Sequence, residues 1–278
     1  MTHTAHMAAA KAAKNDDFLT PYILVASEIG QHYQCQPEHF KNKTIYCPCD
    51  CDWSAFTNYF LNNFEQLQLK KLICTGYHQG SRGEFVIKTA DSLTIGRLAG
   101  DGDYNSQECC AYRDSADVII TNPPFSKMRD FWTWLHGKSY LMIAPLNAIK
   151  YKSIFPAVMT GRLRAGYNWD FDIGPAGACC FVTDLPVKPA DWVPSGSYIP
   201  ATMPAYDTID AIYIKYTRDI PAGYTGKMAV PITWLKYYDP TKHILHGIIN
   251  HGQDHQWDLA KPILRGKETF ARLIMSYI

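Results

Sequence analysis

The sequence has no large excess of charge of either sign and few charged residues altogether. Among its 278 residues, 27 are Lys or Arg and 26 are Asp or Glu, so that the charged fraction is 19%. That fraction lies below the roughly 25% of average soluble domains. Bulk positive charge therefore gives no sign of nucleic-acid binding, although a local basic groove is not excluded. Aromatic residues make up 13% and apolar residues 47% of the chain, which excludes intrinsic disorder, collagen-like repeats and a coiled coil.

Long apolar runs are also missing. No uninterrupted apolar stretch approaches the roughly 18 residues that a membrane helix needs. Lys11 and Lys14 interrupt the alanine-rich start, and no apolar signal core follows them. We therefore expect a protein of the cytoplasm, without secretion and without membrane association. The length suits one large α/β domain, or one domain with a smaller insert.

Motifs for bound dinucleotides, P-loop phosphates and metals are absent too. The chain has no G-x-G-x-x-G and no G-x-x-x-x-G-K-[ST] motif, so neither dinucleotide-linked redox chemistry nor P-loop phosphate binding is indicated. Its nine cysteines are odd in number and lie mostly in apolar, strand-like runs, which favours reduced and mostly buried thiols. Cys47, Cys49 and Cys51 have no second pair at zinc-ligand spacing. His251 and His255 lack the glutamate of an H-E-x-x-H motif. We predict no metal site.

The first half of the chain alternates short β-like runs with helical stretches. Strands are predicted at residues 44–49, 72–74, 117–121 and 140–144, with an inserted hairpin at 85–87 and 93–95. Helices are predicted from Thr20-Pro21 through Tyr33, over residues 53–67 and over residues 128–136. Thr20 is the expected helix N-cap, with Pro21 in the first turn. The alternation favours right-handed βαβ units and a parallel sheet, and hence the α/β class.

The second half has a different pattern, in which prolines separate short β-like pieces. Examples of these pieces are residues 178–183 and 210–216. We therefore predict a core over residues 15–165. Residues 166–278 are predicted to form a β-rich region that completes the sheet and supplies recognition loops.

The strongest chemical signal is an apolar strand at residues 117–121 that leads directly into Asn122-Pro123-Pro124-Phe125. In open α/β sheets, reactive groups gather beyond the carboxyl ends of strands. Consecutive prolines make the loop stiff and leave bare carbonyls. The Asn122 amide oxygen and the Pro123 carbonyl can together orient an exocyclic amino group, and Phe125 offers a face on which a base can stack.

This loop suits methylation of an amine whose lone pair is delocalised into an aromatic ring. Hydrogen bonds from both amine hydrogens would favour a tetrahedral nitrogen with its lone pair aimed at a methyl donor. Positioning and electrostatics then lower the barrier without a strong base. The alternative is an ordinary surface turn, which Asn-Pro often marks. The position of the loop after an apolar strand favours the functional interpretation.

A methyl donor would need polar groups at the ends of neighbouring strands. Asp50 and Asp52 follow the first predicted strand, and the segment Gly100-Asp-Gly-Asp-Tyr contains Asp101, Asp103 and Tyr104. Carboxylates can bind ribose hydroxyls, an ammonium group or the adenine amine, and an aromatic ring can stack on adenine. The alternative for the glycine-rich segment is a polar turn without a ligand.

Taken in order, several segments resemble the EcoRI-type family of adenine-specific DNA methyltransferases from about Asn15 to Gly252. The matching segments are residues 15–22, 43–50, 54–56, 69–75, 100–106, 116–126, 205–207, 209–212 and 230–235. The resemblance implies a Rossmann-like, S-adenosylmethionine-dependent methyltransferase sheet over residues 15–165 and a β-rich DNA target-recognition region over residues 166–278. It implies methylation of the N6 amine of a flipped-out adenine in a specific sequence of double-stranded DNA. A cognate restriction endonuclease, which need not bind directly, is the implied partner.

The resemblance also implies roles for individual residues. Asn122, Pro123, Pro124 and Phe125 match the catalytic loop of the family. The residues implied to bind S-adenosylmethionine are Phe18, Thr20, Pro21, Asp50, Asp52, Asp101, Asp103 and Tyr104. Where relatives read Asn-Cys-Asp-Asp-Pro, this chain has Pro-Cys-Asp-Cys-Asp at residues 48–52, and Tyr104 replaces a phenylalanine. Candidate phosphate contacts are Lys150, Lys152, Arg162, Arg164, Lys215 and Lys236.

Two other functions stay open from the sequence. Asn-Pro-Pro-aromatic loops also resemble those of enzymes that methylate amines of RNA or of protein glutamine. A nucleic-acid-binding subunit that kept the fold and lost catalysis is the other alternative, which the changed residues 48–52 leave open.

Overall fold

The structure is a computed structural model that describes residues 20–50, 54–172, 178–252 and 255–278. The chain divides into two compact units, each described here by itself. The first comprises residues 1–145 and 164–187, and the second comprises residues 146–163 and 188–278. The boundary that the sequence suggested, after residue 165, falls within a strand of the first unit, β7 (Arg164–Asp172).

The first unit is built on a mixed sheet of eight strands within the described residues. The other strands are β1 (Thr44–Cys47), β2 (Lys71–Gly76), β3 (Glu84–Lys88), β4 (Leu93–Arg97), β5 (Val118–Thr121), β6 (Ser139–Pro145) and β8 (Ala178–Thr183). Their spatial order is β4-β3-β2-β1-β5-β6-β8-β7. The α/β class is confirmed, and β8 and β7 lie at one edge of this sheet.

Only the middle of this sheet is parallel, which differs from the expected parallel sheet. β2, β1, β5 and β6 pair in parallel. β3 and β4 form the predicted hairpin and add antiparallel strands beside β2. β8 is antiparallel to β6, and β7 is antiparallel to β8. The connection from β2 to β3 is too short for a parallel crossover, and this forces the antiparallel arrangement on that side.

The helices of the first unit are α1 (Tyr22–Cys35), α2 (Ala55–Asn62), α3 (Gln107–Ser115) and α4 (Met128–Trp134). The Ser54 hydroxyl caps α2 by accepting from the N–H of Thr57 at 3.0 Å, as expected of serine at this position. α2 ends earlier than residue 67, because Asn63 bonds the backbone at the helix end: its Nδ2 donates to the Tyr59 carbonyl at 2.8 Å. Such local bonds compete with helix continuation.

The core of the first unit is formed by buried strands and aromatic helix residues. All four residues of β1 and all four of β5 are buried, as is typical of central strands covered on both faces. Phe56, Phe60 and Phe64 are all buried, as their helical spacing predicted. The ends of β1 and β5 are therefore anchored in the apolar core.

A buried carboxylate that the sequence did not indicate connects α1 to β7. Glu28 is fully buried, and its carboxylate accepts from the backbone N–H groups of Tyr167 at 3.0 Å and Asn168 at 2.6 Å. His32 lies 3.2 Å from the same group. A Cβ on Gly166 would collide with the Glu28 carboxylate, so only glycine allows this approach. The bonds fix α1 against the sheet edge, and Thr20 lies just before α1.

The second unit is rich in short strands, in accord with the pattern of its sequence. Its main sheet has the order β12-β11-β15-β10-β9 within the described residues. These strands are β9 (Ile212–Tyr213), β10 (Met228–Val230), β11 (His243–Ile249), β12 (Asp258–Ala260) and β15 (Arg272–Tyr277). β13 (Ile263–Leu264) pairs with β14 (Lys267–Glu268), and the unit also contains the short helix α5 (Phe155–Met159). The strand expected over residues 210–216 is shorter, at Ile212–Tyr213.

A bilayer-crossing helix would have to be both long and apolar. Within the described ranges, none of the helices meets both conditions.

Candidate active site

The candidate site lies where the strand order of the first unit reverses. The chain passes from β1 to β2 on one side and later reaches β5 on the opposite side of β1. β1, β2 and β5 are parallel, so that their carboxyl ends share one edge. Open α/β sheets bind ligands in the crevice at such a switch point. Asp50 follows β1 and Asn122 follows β5, which places both residues at this edge.

The Asn122–Phe125 loop leaves β5 and leads into a 3₁₀ turn at Phe125–Lys127 and then into α4. Asn122 is half-buried, and its Nδ2 donates to the hydroxyl oxygen of Thr20 at 3.3 Å. Pro123 is buried. Phe125 is half-buried and packs against the apolar core. The loop is therefore held by contacts at both of its ends.

Thr20 does not act as the helix cap that the sequence suggested. α1 begins at Tyr22, and Pro21 occupies the N-cap position with an extended ψ of 133° and without a side-chain capping bond. The Thr20 hydroxyl instead accepts a hydrogen bond from Asn122. Proline fits the beginning of a helix because it needs no hydrogen-bond partner for an N–H. Phe18, the other residue predicted in this segment, lies outside the described residues.

Asp50 is held inside the unit by hydrogen bonds. Cys49, with a φ of 67°, turns the chain after β1, and the Asp50 N–H donates to the Thr75 carbonyl at 2.8 Å. The Asp50 side chain is hydrogen-bonded to Ser54 and to the backbone N–H of Asn122. Burial raises the pKa of Asp50 to about 7, although these hydrogen bonds oppose the change. Asp52, the neighbouring predicted residue, lies outside the described residues.

Thr121 connects the same two loops and was not identified from the sequence. Its fully buried hydroxyl lies 2.6 Å from Oδ2 of Asp50 and also contacts the Pro48 carbonyl. The only signal in the sequence is a hydroxyl at the last position of an otherwise apolar strand. The hydroxyl sits between the residues that follow β1 and the beginning of the Asn122 loop.

The acidic turn with Asp101 and Asp103 packs on the carboxyl end of β2. Gly102 has a φ of 85°, and a Cβ at this position would collide with the carbonyl of Gly76. The His78 N–H donates to the Asp101 carbonyl at 2.9 Å. Oδ1 of Asp101 accepts from the Asp103 N–H at 3.0 Å. Asp101 stays exposed, so its carboxylate remains accessible to a ligand.

Asp103 and Tyr104 connect this turn to the helix after the Asn122 loop. Oδ2 of Asp103 lies 3.4 Å from Nζ of Lys127. Tyr104 is 4% exposed, and its ring meets Phe131 and Trp134 edge-on at 5.1 and 5.5 Å between centroids. Burial, with a contribution from the charge of Asp103, raises the pKa of Tyr104 to about 12. Tyr104 is thus a packing residue between the turn and α4.

The cysteines agree with the prediction of mostly buried thiols. Those described are free, and the buried ones are Cys47, Cys74, Cys109, Cys179 and Cys180. Cys51 lies outside the described residues. In the ranges that the structure describes, no cluster of three or more His, Cys, Asp or Glu residues is placed to hold a metal ion.

Comparison with known proteins gives consistent matches over most of the chain. The family model described as "Adenine-specific methyltransferase EcoRI" matches residues 6–175 and 172–269. The Type II methyltransferase M.EcoRI of Escherichia coli is 31% identical over 281 residues, which cover 83% of this chain and 85% of that protein. No solved structure gives a significant match.

Two mycoplasma proteins are similar to the chain to the same degree. The Type II methyltransferase M.MgeORF184P of Mycoplasma genitalium is 32% identical, with 84% of this chain and 83% of the relative covered. The Type II methyltransferase M.MpnI of Mycoplasma pneumoniae is 28% identical, with 83% and 82% covered.

Proposed function

Because the chain belongs to the EcoRI-type family of adenine-specific methyltransferases, we propose that it methylates adenine N6 in a specific DNA sequence. The methyl group comes from S-adenosylmethionine, and the target adenine is rotated out of the duplex. The observation that carries the proposal is the position of Asn122 at the switch point, directly after β5, with a hydrogen bond from its side chain to Thr20. The first unit is the proposed cofactor-binding and catalytic part.

Asn122, Pro123, Pro124 and Phe125 are the proposed catalytic residues. The amide oxygen of Asn122 and the carbonyl of Pro123 would accept the two amine hydrogens of adenine, and Phe125 would support the base. Held in this way, the nitrogen would aim its lone pair at the methyl carbon. As the N–C bond formed, the S–CH₃ bond would break with the neutral thioether S-adenosylhomocysteine as the leaving group, and the methylated amine would then lose one proton to solvent. S-adenosylmethionine supplies a methyl group on a positively charged sulfur, a good leaving group. Positioning provides most of the rate enhancement.

The proposed cofactor residues surround the same edge of the sheet. Asp101 is exposed and Asp103 is half-buried at the end of β2, and carboxylates there fit hydroxyl or ammonium groups. Thr20 and Pro21 precede α1 beside Asn122. Phe18 and Asp52 stay predictions from the resemblance, and Tyr104 would act by supporting the turn. The donor set fits S-adenosylmethionine, with carboxylates open on one side and a short amine-orienting loop on the other.

DNA is the proposed partner, and the second unit is the proposed source of target recognition. Lys215 and Arg218 both lie over the ring of the exposed Tyr216, at 5.0 and 4.7 Å from its centroid. Cations beside an exposed aromatic ring suit contact with phosphates and bases. Lys150, Lys152, Arg162 and Lys236 are further candidates. Arg164 belongs to the first unit, and its guanidinium already donates to the Asp184 carbonyl at 2.7 Å.

A restriction–modification role in the cytoplasm, with an endonuclease that need not bind directly, belongs to the same proposal. The test incubates the purified protein with S-adenosylmethionine and a random DNA library, followed by sequencing that detects N6-methyladenine. The expected result is methylated adenine within one sequence context. Methylation of RNA or protein alone, or of no substrate despite cofactor binding, would contradict the proposal.

A further inference from the structure

We propose that Asp50 and Thr121 are positioning residues that hold the backbone of Asn122 in place, and that Asp50 does not bind the cofactor directly. This inference rests on the proposed function of the Asn122 loop and assigns a role to Thr121, for which sequence reasoning had none. It also changes the role of Asp50 from a cofactor ligand to an internal support.

The surroundings of Asp50 argue for an internal role. Asp50 is 3% exposed, and its carboxylate contacts Thr121, Ser54 and the N–H of Asn122. Its backbone carbonyl accepts from the hydroxyl of Thr57 at 3.2 Å. Whether ionised or protonated, a carboxyl group has about four hydrogen-bonding positions, and Thr121, Ser54 and the Asn122 N–H already use most of them. A ligand carboxylate should instead be open to solvent, as the exposed Asp101 is.

The Thr121 hydroxyl ties the loop after β1 to the end of β5. It contacts both the Pro48 carbonyl and Oδ2 of Asp50, yet a hydroxyl has only one hydrogen to donate. The Pro48 carbonyl can only accept, so that when Thr121 donates to it, the contact with Asp50 requires a proton on the carboxyl group. Because burial raises the pKa of Asp50 to about 7, a protonated carboxyl group is accessible at neutral pH.

The consequence for Asn122 follows from the chain itself. Thr121 immediately precedes Asn122 in the chain, and Asp50 accepts a hydrogen bond from the Asn122 N–H. Asp50 and Thr121 therefore hold the backbone of Asn122, from which the catalytic amide side chain extends. Pro123 and Pro124 fix φ at the following two positions. Loss of the buried support would move the Asn122 amide, and a misplacement of about 1 Å at a reacting centre lowers the rate by about 10²-fold.

The decisive variants are Thr121→Val, which exchanges the hydroxyl for a methyl of similar shape, and Asp50→Ala, which removes the carboxyl group that contacts Thr121 and accepts from the Asn122 N–H. Each is compared with the wild type in three measurements. The first is kcat for the formation of methylated DNA, and the second is the Kd for S-adenosylhomocysteine by calorimetry. The third is the hydrogen-exchange rate of the peptide that contains Asn122. Pro123 and Pro124 have no amide hydrogen, so within residues 122–124 only the Asn122 N–H exchanges, and its exchange is resolved by comparing overlapping peptides. The expected result is a kcat lower by about 10²-fold, a Kd within about threefold of the wild-type value, and faster exchange.

Two controls separate positioning from general stability. Thr121→Ser keeps the hydroxyl and should recover most of the lost kcat. Thr183→Val removes another fully buried threonine hydroxyl of the same sheet, which donates to the Tyr140 carbonyl at 2.5 Å and accepts from the Leu185 N–H at 3.0 Å. It should lower Tm while kcat and the exchange of the Asn122 segment stay as in the wild type.

The outcomes distinguish the inference from the proposed function. A Kd weakened as much as kcat/KM, with kcat unchanged at saturation, would make Asp50 a cofactor ligand and overturn the inference. Unchanged kcat and exchange in both variants would overturn it as well. If Thr121→Val does not fold, Asp50→Ala decides by the same measurements. A wild type that methylates no DNA would refute the proposed function, whereas the exchange experiment would still decide whether Asp50 and Thr121 hold Asn122.

Discussion

At the scale of single residues, the proposed function separates groups that would face a ligand from groups that would hold them. Asn122 belongs to the first kind, since it is half-buried at the end of β5 and its side chain reaches Thr20. Asp50 and Thr121 belong to the second, since both are buried behind it. The same residue type can thus have different roles: Asp50 is enclosed, whereas Asp101 is exposed.

The first residue-scale prediction is Asn122→Ala. Removing the amide should lower kcat by several orders of magnitude while Tm changes little, because the residue lies in a loop and not in the core. Methyl transfer to DNA and thermal unfolding measure the two effects. Asn63→Ala is the control, since the Asn63 side chain donates to the Tyr59 carbonyl at the end of α2, and it should keep turnover. Full activity of Asn122→Ala would contradict the catalytic role.

A second prediction concerns the pH dependence of stability through Asp50. Burial raises its pKa in the folded state to about 7, above the unfolded value of about 4. Its contribution to stability is therefore complete below about pH 4 and is lost as the pH rises through about 7. The groups that face it are Thr121, Ser54 and the Asn122 N–H, with the Cys47 thiol nearby, whose own pKa burial raises.

The measurement for this prediction is urea unfolding from about pH 4 to pH 8. The free energy of unfolding of the wild type should contain a component that falls over this range, and Asp50→Asn should lack it. Asp91→Asn, at an exposed position of the β3–β4 turn, should leave the profile as in the wild type. If the free energy of unfolding changed with pH equally in the wild type and in Asp50→Asn, Asp50 would not titrate between about pH 4 and pH 8.

At the scale of elements, turns and strand ends bring the site together. The Gly100–Tyr104 turn reaches β2 because Gly102 adopts a positive φ and has no Cβ to collide with Gly76. The ion pair between Asp103 and Lys127 connects this turn to the residues after the Asn122–Pro124 segment. α1 is fixed by the buried Glu28, which accepts from two backbone N–H groups of β7.

The element-scale prediction is Gly102→Ala. The new Cβ would collide with backbone and would adopt a φ that L-residues rarely populate, at a cost of about 1–3 kcal/mol of stability. The displaced turn should also weaken cofactor binding, measured by calorimetry with S-adenosylhomocysteine. Gly100→Ala is the matched control, because open space surrounds its Cβ position. Equal behaviour of the two alanine variants would exclude a specific role for Gly102.

At the scale of the whole molecule, two units with separate sheets divide the proposed work. The first contains the switch point and the proposed catalytic loop, and the second contains the cluster of Lys215, Tyr216 and Arg218. With a net charge of +1 for the chain, attraction to DNA has to come from local cations such as these and not from the total charge.

The whole-molecule prediction is that Lys215→Ala and Arg218→Ala weaken DNA binding at low salt. Each lost phosphate contact should also reduce the slope of log Kd against log salt by about 0.9. Fluorescence anisotropy at several salt concentrations measures both effects. Lys188→Ala is the control, since that exposed lysine of the same unit is paired with Asp191. Unchanged slopes for both test variants would remove this cluster from the proposed DNA interface.

By itself, the sequence determined those features that depend on neighbouring residues. The apolar run of β5 and the two prolines after Asn122 predicted a strand followed by a stiff loop, and the β3–β4 hairpin was correct to within two residues. The periodicity of strands and the residue preferences of turns depend on nearby residues, so they can be predicted from a single sequence. Family membership also followed from the order of such local segments.

Only the tertiary structure decided which distant residues meet. The contact between Thr20 and Asn122, the enclosure of Asp50 by Thr121, and the bonds of Glu28 to β7 all join parts of the chain far apart in sequence. The antiparallel placement of β8 and β7 beside β6, and the position of residues 146–163 in the second unit, likewise depend on packing. The burial of a side chain and the charge around it depend on which residues folding brings next to it. For this reason Asp50, which the resemblance implied to be a cofactor ligand, is enclosed beside the Asn122–Phe125 loop.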